Sequence, residues 1–332
     1  MNPSRNAGIL GVGMAIPDKV VTNADIERMV ETNNEWIVSR TGIEERRVTE
    51  DEEGSSSLGF TSAQRALEDA GVAAEELDLI ICATATGDYP WPATACIIQE
   101  KLGATRAAAF DLSAACSGFT YGLATASAFI QSGAMRRVLV IGVDTLSKQV
   151  DWTDRGTCIL FGDGAGAVVM GSCGPDEGVL TSSLGSDGGG FEQIWLEGGG
   201  NRLPVTLEVK DERRNYIRMK GADVYKFAIK IMGEASIEAL CKANLTPADV
   251  DLFIPHQANI RIIHAAAERM GLPLDKVFVN VQKYGNTSAG SIPIALAEAV
   301  QEGRVKRGDV LVLVGFGAGL TWGANVIRWN RD

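Results

Sequence analysis

Residues 111–121, with the sequence DLSAACSGFTY, join a predicted strand to a predicted helix. The apolar residues 107–112 predict a short buried strand, and residues 118–133 predict a helix of small residues that ends at a glycine. Cys116 is therefore expected on the turn between them. Helix amides and the positive end of the helix dipole favour a thiolate, so this position predicts a lowered pKa and a nucleophile. The alternative is that Cys116 is a small apolar filler, as most free cysteines are.

The residues on either side of this stretch alternate between strand and helix patterns. Residues 77–86 form a continuous apolar run, which is typical of a strand in a sheet that is covered on both faces. Helices are predicted over residues 57–71 and 93–102, and another strand over residues 137–143. Such alternation predicts the α/β class with a mostly parallel sheet.

The second half of the chain repeats the first. At a constant offset of 173, residues 66–79 align with residues 239–252, and five positions are identical. Gly71 aligns with Asn244, and these two residue types best tolerate a left-handed helix cap. The match continues as a pattern, because residues 278–281, a turn, the predicted helix 290–303 and the predicted strand 310–314 parallel the segment around Cys116. A duplicated α/β unit explains this repeat economically. We therefore predict an N-terminal half, residues 1–172, and a C-terminal half, residues 173–332.

Two polar side chains of the second half fall at positions equivalent to the turn of Cys116. His256 follows the predicted strand 252–255, and Asn286 lies on the turn before the predicted helix 290–303. Ligands of open α/β sheets gather at the carboxyl ends of strands, so the three side chains are expected to converge. His264 is expected to be an ordinary surface or half-buried helical residue.

Composition excludes several classes of protein. The net charge of −11 argues against bulk attraction to nucleic acid or to an anionic membrane. No apolar run reaches the roughly 18 to 20 residues that span a bilayer, and residues 1–6 do not resemble a signal peptide, so a cytoplasmic protein is expected. The six cysteines form no C-x-x-C pair, and there are only two histidines. Reduced thiols and no metal site are predicted.

Glycine-rich residues 161–167 lack the lysine and hydroxyl residue of a phosphate-binding loop. They are expected to allow close backbone packing beside the site. Trp36 and Arg40 are four residues apart and share a face if this segment is helical. An aromatic ring beside a cation suits a nucleotide, although such pairs are also common in surface packing.

Four segments together resemble the signature blocks of the β-ketoacyl-[acyl-carrier-protein] synthase III family of the thiolase superfamily. These segments are residues 111–121, 254–259 (IPHQAN), 284–291 (YGNTSAGS) and 315–323 (GFGAGLTWG). The resemblance implies a thiolase-like layered α-β-α-β-α sandwich. It also implies a decarboxylative condensation of a short-chain acyl-CoA with malonyl-acyl-carrier-protein, which starts fatty acid synthesis. The CoA thioester is a substrate, and no cofactor is implied.

The resemblance implies roles for residues of these signature blocks. Cys116 attacks the acyl-CoA and holds the acyl group, while His256 and Asn286 stabilise the enolate formed from malonyl-carrier protein. The acyl carbonyl oxygen is held by the backbone amides of Cys116 and Ala318. The family often has glycine at the position of Ala318. The interaction uses only the backbone amide, which alanine also has, so little loss of function is expected.

The same resemblance implies binding residues and partners. CoA contacts are implied for Trp36, Arg40, Arg155 and Asn259, acyl-pocket contacts for Phe161 and Trp91, and contacts with acyl carrier protein for Lys226, Arg261 and Arg269. Trp91 is implied to reach across a homodimer interface into the partner's pocket. Glu268 stands where a second basic residue is common, which makes the basic patch thinner or displaced.

Two rival functions remain open at this level. An acyltransferase of the thiolase superfamily, or a priming synthase of secondary metabolism, keeps the fold and changes the reaction. A biosynthetic thiolase needs a second catalytic cysteine near the C-terminal glycine turn, and this chain has none after Cys241. A nucleotide-binding regulator without chemistry is the rival of a different class.

Overall fold

The computed structural model describes residues 6–332, which form two β-sheets with helices between and outside them. The strands are β1 Asn6–Ala15, β2 Val20–Thr22, β3 Glu45–Arg47, β4 Leu79–Ala83, β5 Ala108–Leu112, β6 Arg137–Thr145, β7 Asp163–Cys173, β8 Gly178–Ser186, β9 Ile194–Leu196, β10 Ile217–Met219, β11 Leu252–Pro255, β12 Val310–Gly317 and β13 Thr321–Arg328. The helices are α1 Asn23–Glu27, α2 Asn34–Thr41, α3 Ser55–Ala70, α4 Thr94–Leu102, α5 Gly118–Gln131, α6 Arg155–Cys158, α7 Leu207–Asp211, α8 Gly221–Lys242, α9 Ile260–Met270, α10 Val281–Tyr284 and α11 Ser291–Gln301.

The two main sheets mix parallel and antiparallel pairs. The first sheet has the order β1-β7-β6-β4-β5, and the second has the order β11-β12-β13-β8. Strand β4 pairs in parallel with β5 and β6, and β11 pairs in parallel with β12. The remaining pairs of both sheets are antiparallel. The predicted strands 77–86, 107–112 and 137–143 correspond to β4, β5 and β6, which pair in parallel. The prediction of a mostly parallel sheet was wrong for the sheet as a whole, because β7 and β1 add two antiparallel pairs.

Helices separate and cover the sheets in five layers. Helices α5 and α11 lie between the sheets, and their apolar side chains share one core with β4, β6, β11 and β12. Helices α3 and α4 cover the outer face of the first sheet, and α8 and α9 cover the outer face of the second. This confirms the predicted α-β-α-β-α sandwich. Strands buried on both faces are continuous apolar runs, as in β4, where every residue is buried.

The internal repeat is visible in the backbone. Adding 173 to the first residues of β4, α5 and β6 gives the first residues of β11, α11 and β12. Even the backbone angles repeat, since φ is 46° at Ala115 and 49° at Ser288, and 61° at Gly71 and 55° at Asn244. The strands of the first sheet lie within residues 6–173 and those of the second within 178–328. The division at residues 172 and 173 into two units stays a prediction.

The repeat fails at one edge. Residues 278–281 were expected to match the strand before Cys116, but the structure has no strand there. Only an isolated bridge joins Phe253 to Val277, and the short helix α10 follows. The second sheet therefore has one strand fewer than the first.

None of the helices within residues 6–332 is long and apolar enough to cross a membrane. The sequence predicted that residues 1–6 are not a signal peptide. Residues 1–5 lie outside the part of the chain that the structure describes, so this stays a prediction.

Candidate active site

Cys116 lies where the sequence predicted it, between β5 and α5. It occupies a 3₁₀ turn, Ala115–Ser117, and its exposed fraction is 7%. The end of β12 packs directly on this turn. A Cβ atom on Gly317 would lie 2.6 Å from the Cys116 nitrogen and 3.0 Å from its Cβ, so only glycine permits this contact. Cys116 is thus held between the turn before α5 and the end of β12.

The pKa of the Cys116 thiol does not follow the sequence prediction. Burial raises this pKa to about 12, although hydrogen bonds from Ser288 and from the backbone amide of Cys116 act in the opposite direction. The prediction of a lowered pKa was therefore wrong, because desolvation disfavours the thiolate more than the helix end and its amides favour it. In the protein without substrate, the thiol carries its proton at neutral pH.

His256 lies at the carboxyl end of β11, where its backbone amide donates to the carbonyl of Val314 over 2.7 Å. Its exposed fraction is 1%, and burial lowers its pKa to about 3, so the imidazole is neutral. Nδ1 lies 2.6 Å from Oγ of Ser291. Ser291 Oγ also accepts the backbone amide of Gln257 over 3.4 Å. When the Ser291 hydroxyl donates to Nδ1, Nε2 carries the ring proton and is a donor.

Asn286 is held by its backbone and by its amide oxygen. Its backbone bridges to Phe161, donating to the carbonyl of Leu160 over 2.9 Å and accepting the amide of Gly162 over 3.0 Å. The side-chain oxygen accepts the backbone amide of Ser288 over 2.9 Å. The NH₂ group is consequently the end left to meet a ligand.

The three predicted catalytic side chains share one cavity. Cys116, His256 and Asn286 line one cleft, together with Phe161. Cys116 and Phe161 also line a second, mostly apolar cavity, whose other lining residues include Ala318, Leu146, Ile194, Trp195, Leu196 and Ile217. The thiol therefore stands at the junction of a polar-ended cleft and an apolar pocket.

A cationic aromatic cluster lies at the surface end of the cleft. The guanidinium carbons of Arg40 and Arg155 lie 4.7 Å and 4.9 Å from the ring centre of Trp36. Trp36 and Arg40 both belong to α2, so they share a face as predicted. Asn259 connects this cluster to the cleft, because it lines the cleft and donates to the carbonyl of Arg40 over 3.0 Å.

The remaining predicted site residues lie away from the thiol. Trp91 has an exposed fraction of 84% and lines neither cavity. Lys226 and Arg261 are exposed on α8 and α9, beside Tyr225 and Ile262, which line the cleft. Arg269 is also exposed, but it pairs with Glu234 over 2.8 Å. His264 and Glu268 are exposed on the same helix, α9.

Comparison with known proteins agrees with this geometry. Residues 110–188 match the family model of 3-oxoacyl-[acyl-carrier-protein (ACP)] synthase III, and residues 240–329 match the model of its C-terminal region. The β-ketoacyl-[acyl-carrier-protein] synthase III of Caldanaerobacter subterraneus subsp. tengcongensis is 52% identical over 325 residues, which is 98% of both chains. The chain belongs to the synthase III family. The synthase III of Desulfitobacterium hafniense is 54% identical over 98% of both chains.

Solved structures extend the synthase III relationship to the fold. The crystal structure of 3-oxoacyl-[acyl-carrier-protein] synthase III from Aquifex aeolicus VF5 matches with a TM-score of 0.91 and 48% identity. The match covers 97% of this chain and 100% of that one. The priming β-ketosynthase from the R1128 polyketide pathway has a TM-score of 0.91 and 35% identity, with 100% of this chain and 98% of that chain covered.

Two residues near the Cys116 turn were not among the predicted site residues of the synthase III site. Ser288 belongs to the signature block 284–291, and its hydroxyl lies 3.2 Å from the Cys116 sulfur. Asp144 accepts the backbone amide of Ala289 over 3.1 Å. A polar residue directly after the predicted strand 137–143 is a usable signal for it. No group of three or more His, Cys, Asp or Glu side chains within the described part of the chain is placed to hold a metal ion.

Proposed function

We propose that this protein condenses a short-chain acyl-CoA with malonyl-acyl-carrier-protein and releases a β-ketoacyl-acyl-carrier-protein, carbon dioxide and free CoA. This is the first condensation of fatty acid synthesis. The observation that carries the proposal is the convergence of a thiol, a neutral imidazole and an amide NH₂ on one cleft. The reaction needs no cofactor, because the thioester is already an activated acyl donor. We place the enzyme in the cytoplasm, where its six free thiols stay reduced.

The first half-reaction transfers the acyl group to Cys116. The sulfur attacks the thioester carbonyl, a new C–S bond forms, and the bond to the CoA sulfur breaks. The backbone amides of Cys116 and Ala318 are the proposed donors to the oxyanion, and the observation that both residues line the apolar pocket supports this. The acyl chain then extends into this pocket, between Phe161 and Leu196.

The second half-reaction uses His256 and Asn286. Malonyl-carrier protein loses carbon dioxide, and the negative charge moves to the thioester oxygen as an enolate. The Nε2 proton of His256 and the NH₂ group of Asn286 are the donors for this oxygen, and their burial strengthens the interaction. The α-carbon then attacks the acyl-cysteine carbonyl, forming the C–C bond and breaking the bond to the Cys116 sulfur. Cys116 leaves as a thiolate and takes up one proton from solvent, which restores the resting thiol.

The two substrates meet different surfaces of the enzyme. The adenine of CoA is proposed to stack on Trp36, with its phosphates near Arg40 and Arg155. The acidic carrier protein is proposed to dock on Lys226, Arg261 and Arg269, where local positive charge offsets the net charge of −11. Lys226 and Arg261 adjoin residues that line the cleft, and this supports a docking role for them. The support for Arg269 is weaker, because its charge is already paired with Glu234.

Trp36→Ala and Arg261→Glu are expected to act on different substrates. Loss of the stacking surface should raise the KM for acyl-CoA by about tenfold, since base stacking on an aromatic side chain contributes about 1–3 kcal/mol. The KM for malonyl-carrier protein should stay unchanged. Arg261→Glu should raise the KM for malonyl-carrier protein and leave that for acyl-CoA unchanged. Each variant is the control for the other in steady-state kinetics, and equal effects on both substrates would contradict the assignment.

A homodimer is the proposed assembly, and two features of the chain support it. Strand β5 is the edge of the first sheet, and it is less buried than its neighbour β4. The loop with Tyr89 and Trp91 adjoins this edge, because Asp111 of β5 accepts the amide of Thr94 over 2.7 Å. An unpaired edge and exposed aromatic side chains favour association. Trp91 is then proposed to enter the partner's acyl pocket.

The dimer has a measurable consequence for primer choice. Light scattering should give twice the chain mass of 35.2 kDa. Trp91→Ala should keep this mass and shift the preference towards longer acyl-CoAs, because a bulky side chain no longer limits the pocket. The single-chain mass at the concentration of full activity would contradict the proposal.

The function itself is tested by intact-protein mass spectrometry. The protein is incubated with a panel of acyl-CoAs and then with malonyl-carrier protein. An acyl adduct that is consumed with release of β-ketoacyl-carrier protein is the expected result, and the fastest acyl-CoA identifies the primer. An adduct that malonyl-carrier protein never consumes would favour an acyltransferase or a priming synthase with another extender. No adduct at all would overturn the proposal.

A further inference from the structure

A buried serine hydroxyl contacts the imidazole of His256. Ser291 is the first residue of α11, and its exposed fraction is 1%. Its Oγ lies 2.6 Å from Nδ1 of His256. Ser291 lines neither the cleft nor the apolar pocket, whereas His256 lines the cleft. The hydroxyl therefore acts on a substrate in the cleft only through the ring of His256.

The hydrogen bonds of Ser291 determine which atom of this pair donates. Within residues 6–332, the other hydrogen-bond partner of Ser291 Oγ is the backbone amide of Gln257, 3.4 Å away, and an amide can only donate. If Nδ1 carried a proton, Oγ would accept twice and its own proton would have no acceptor among these residues. Leaving a buried donor unpaired is costly, and this objection applies equally to a doubly protonated ring. The Ser291 hydroxyl therefore donates to Nδ1, and the ring proton lies on Nε2.

The other contacts of His256 set the position of the ring but not its proton. The backbone amide donates to the carbonyl of Val314 over 2.7 Å. The ring packs edge-on against Phe316, with ring centres 5.5 Å apart and an angle of 66° between the planes. Neither contact involves a ring nitrogen. In the part of the chain that the structure describes, the Ser291 hydroxyl is the group that distinguishes Nδ1 from Nε2.

The location of the ring proton matters for the enolate. Because Nδ1 is bonded to Ser291, which lies outside the cleft, Nε2 is the ring nitrogen left to meet the substrate. With the proton on Nε2, this nitrogen donates a hydrogen bond to the enolate oxygen. With the proton on Nδ1, it would present a lone pair to a negatively charged oxygen. The enolate would then lose one of its two proposed side-chain donors, His256 and Asn286.

We propose that Ser291 is a positioning residue for the second half-reaction, because its hydroxyl holds His256 in the tautomer that carries its proton on Nε2. This inference rests on the proposed function. Ser291 touches no reacting atom. It has no part in the transfer of the acyl group to Cys116, which uses the sulfur and backbone amides.

The first test observes the tautomer directly in the unaltered enzyme. The chain has only two histidines, and the second, His264, is exposed on α9. In enzyme with nitrogen-labelled histidine, two-bond proton–nitrogen correlation spectra show which ring nitrogen carries the proton. The variant His264→Gln assigns the two sets of signals. His256 is expected to have a protonated Nε2 and an unprotonated Nδ1, and a protonated Nδ1 would overturn the proposal.

The second test compares Ser291→Ala with Ser236→Ala. Ser236 is a matched control, because its buried hydroxyl donates to the carbonyl of Met232 over 2.7 Å within α8. Ser291→Ala is expected to lower condensation by preformed acyl-enzyme by about 10–100-fold, the range for removing the partner of a functional imidazole. Single-turnover acylation by acyl-CoA and the KM for malonyl-carrier protein should stay unchanged. Ser236→Ala should match the unaltered enzyme in both half-reactions.

The spectrum of His256 separates positioning from a merely structural role. In Ser291→Ala the ring proton should no longer be confined to Nε2, whereas Ser236→Ala should keep the spectrum of the unaltered enzyme. Unchanged condensation or an unchanged spectrum in Ser291→Ala would overturn the proposal. An equal loss of acylation and condensation, with thermal unfolding showing an intact fold, would also overturn it.

These outcomes are distinct from a failure of the proposed function. The tautomer is measured without substrate, so it can be read whatever reaction the enzyme catalyses. If the unaltered enzyme forms no acyl adduct, or its adduct never condenses with malonyl-carrier protein, the proposed function fails. If the unaltered enzyme condenses and Ser291→Ala condenses equally well, only the role of Ser291 fails.

Discussion

Cys116→Ala is expected to lower condensation by at least about 10⁴-fold, because every turnover passes through the acyl-cysteine and no other group can take its place. No acyl adduct should appear after incubation with acyl-CoA. His256 and Asn286 remain in place in this variant, so slow decarboxylation of malonyl-carrier protein should persist. Quenched mass spectrometry measures the adduct, and release of carbon dioxide measures the decarboxylation.

Cys158→Ala is the matched control for this prediction. Cys158 is a buried thiol that packs in an apolar cluster with Ile37 and Val150, and it lines neither cavity. The control should keep the adduct and the turnover, and lose only some stability from the small void. An adduct that persists in Cys116→Ala, or vanishes in Cys158→Ala with the fold intact, would remove Cys116 from its role.

His256→Ala and Asn286→Asp are expected to separate the two half-reactions. Both variants should form the acyl adduct, since neither side chain supplies the nucleophile or the two backbone amides. Condensation should fall by about 10²–10³-fold for each lost donor, so the acyl-enzyme should accumulate in the presence of malonyl-carrier protein. Asn286→Asp is the sharper substitution. It keeps the oxygen that accepts the Ser288 amide and replaces the NH₂ donor by a second, charged oxygen.

The pH dependence gives a second measurement for His256. Its pKa of about 3 lies below the ordinary value because burial disfavours the cation, so the imidazole keeps the same charge between pH 5 and 8. Condensation by preformed acyl-enzyme should therefore show no step near pH 6.5. A step there that disappears in His256→Ala would contradict the neutral-donor role, and so would a failure of either variant to accept the acyl group while still condensing.

Local patterns were enough to predict the elements that carry the site. The apolar run before Cys116 and the small residues after it predicted β5 and α5, and the structure has both. The offset of 173 predicted α11 and β12, because duplicated units keep the same caps and apolar positions. Such signals are short-range, so a single sequence contains them.

Those local patterns did not predict the direction of strand pairing, or that the second sheet lacks an equivalent of β5. Residues 278–281 are as apolar as a strand, yet they hold only an isolated bridge at Val277 before helix α10 begins. Strand β7 pairs antiparallel to β6, although the alternation of elements predicted a mostly parallel sheet. Which strands become neighbours depends on how whole layers pack, and this does not appear in the periodicity of one segment.

The sequence alone predicted which groups would carry the chemistry and determined where along the chain they lie, because Cys116, His256 and Asn286 each follow a recognisable strand or lie on a recognisable turn. The tertiary structure alone decided the state of these groups. Burial of Cys116 between β12 and the two turns raised its pKa where the helix end predicted a lower one. The fold also brought the hydroxyl of Ser288, which lies 172 residues after Cys116 in the chain, within 3.2 Å of the sulfur. Desolvation and hydrogen bonding depend on atoms from distant parts of the chain, so they exist only once the fold is complete.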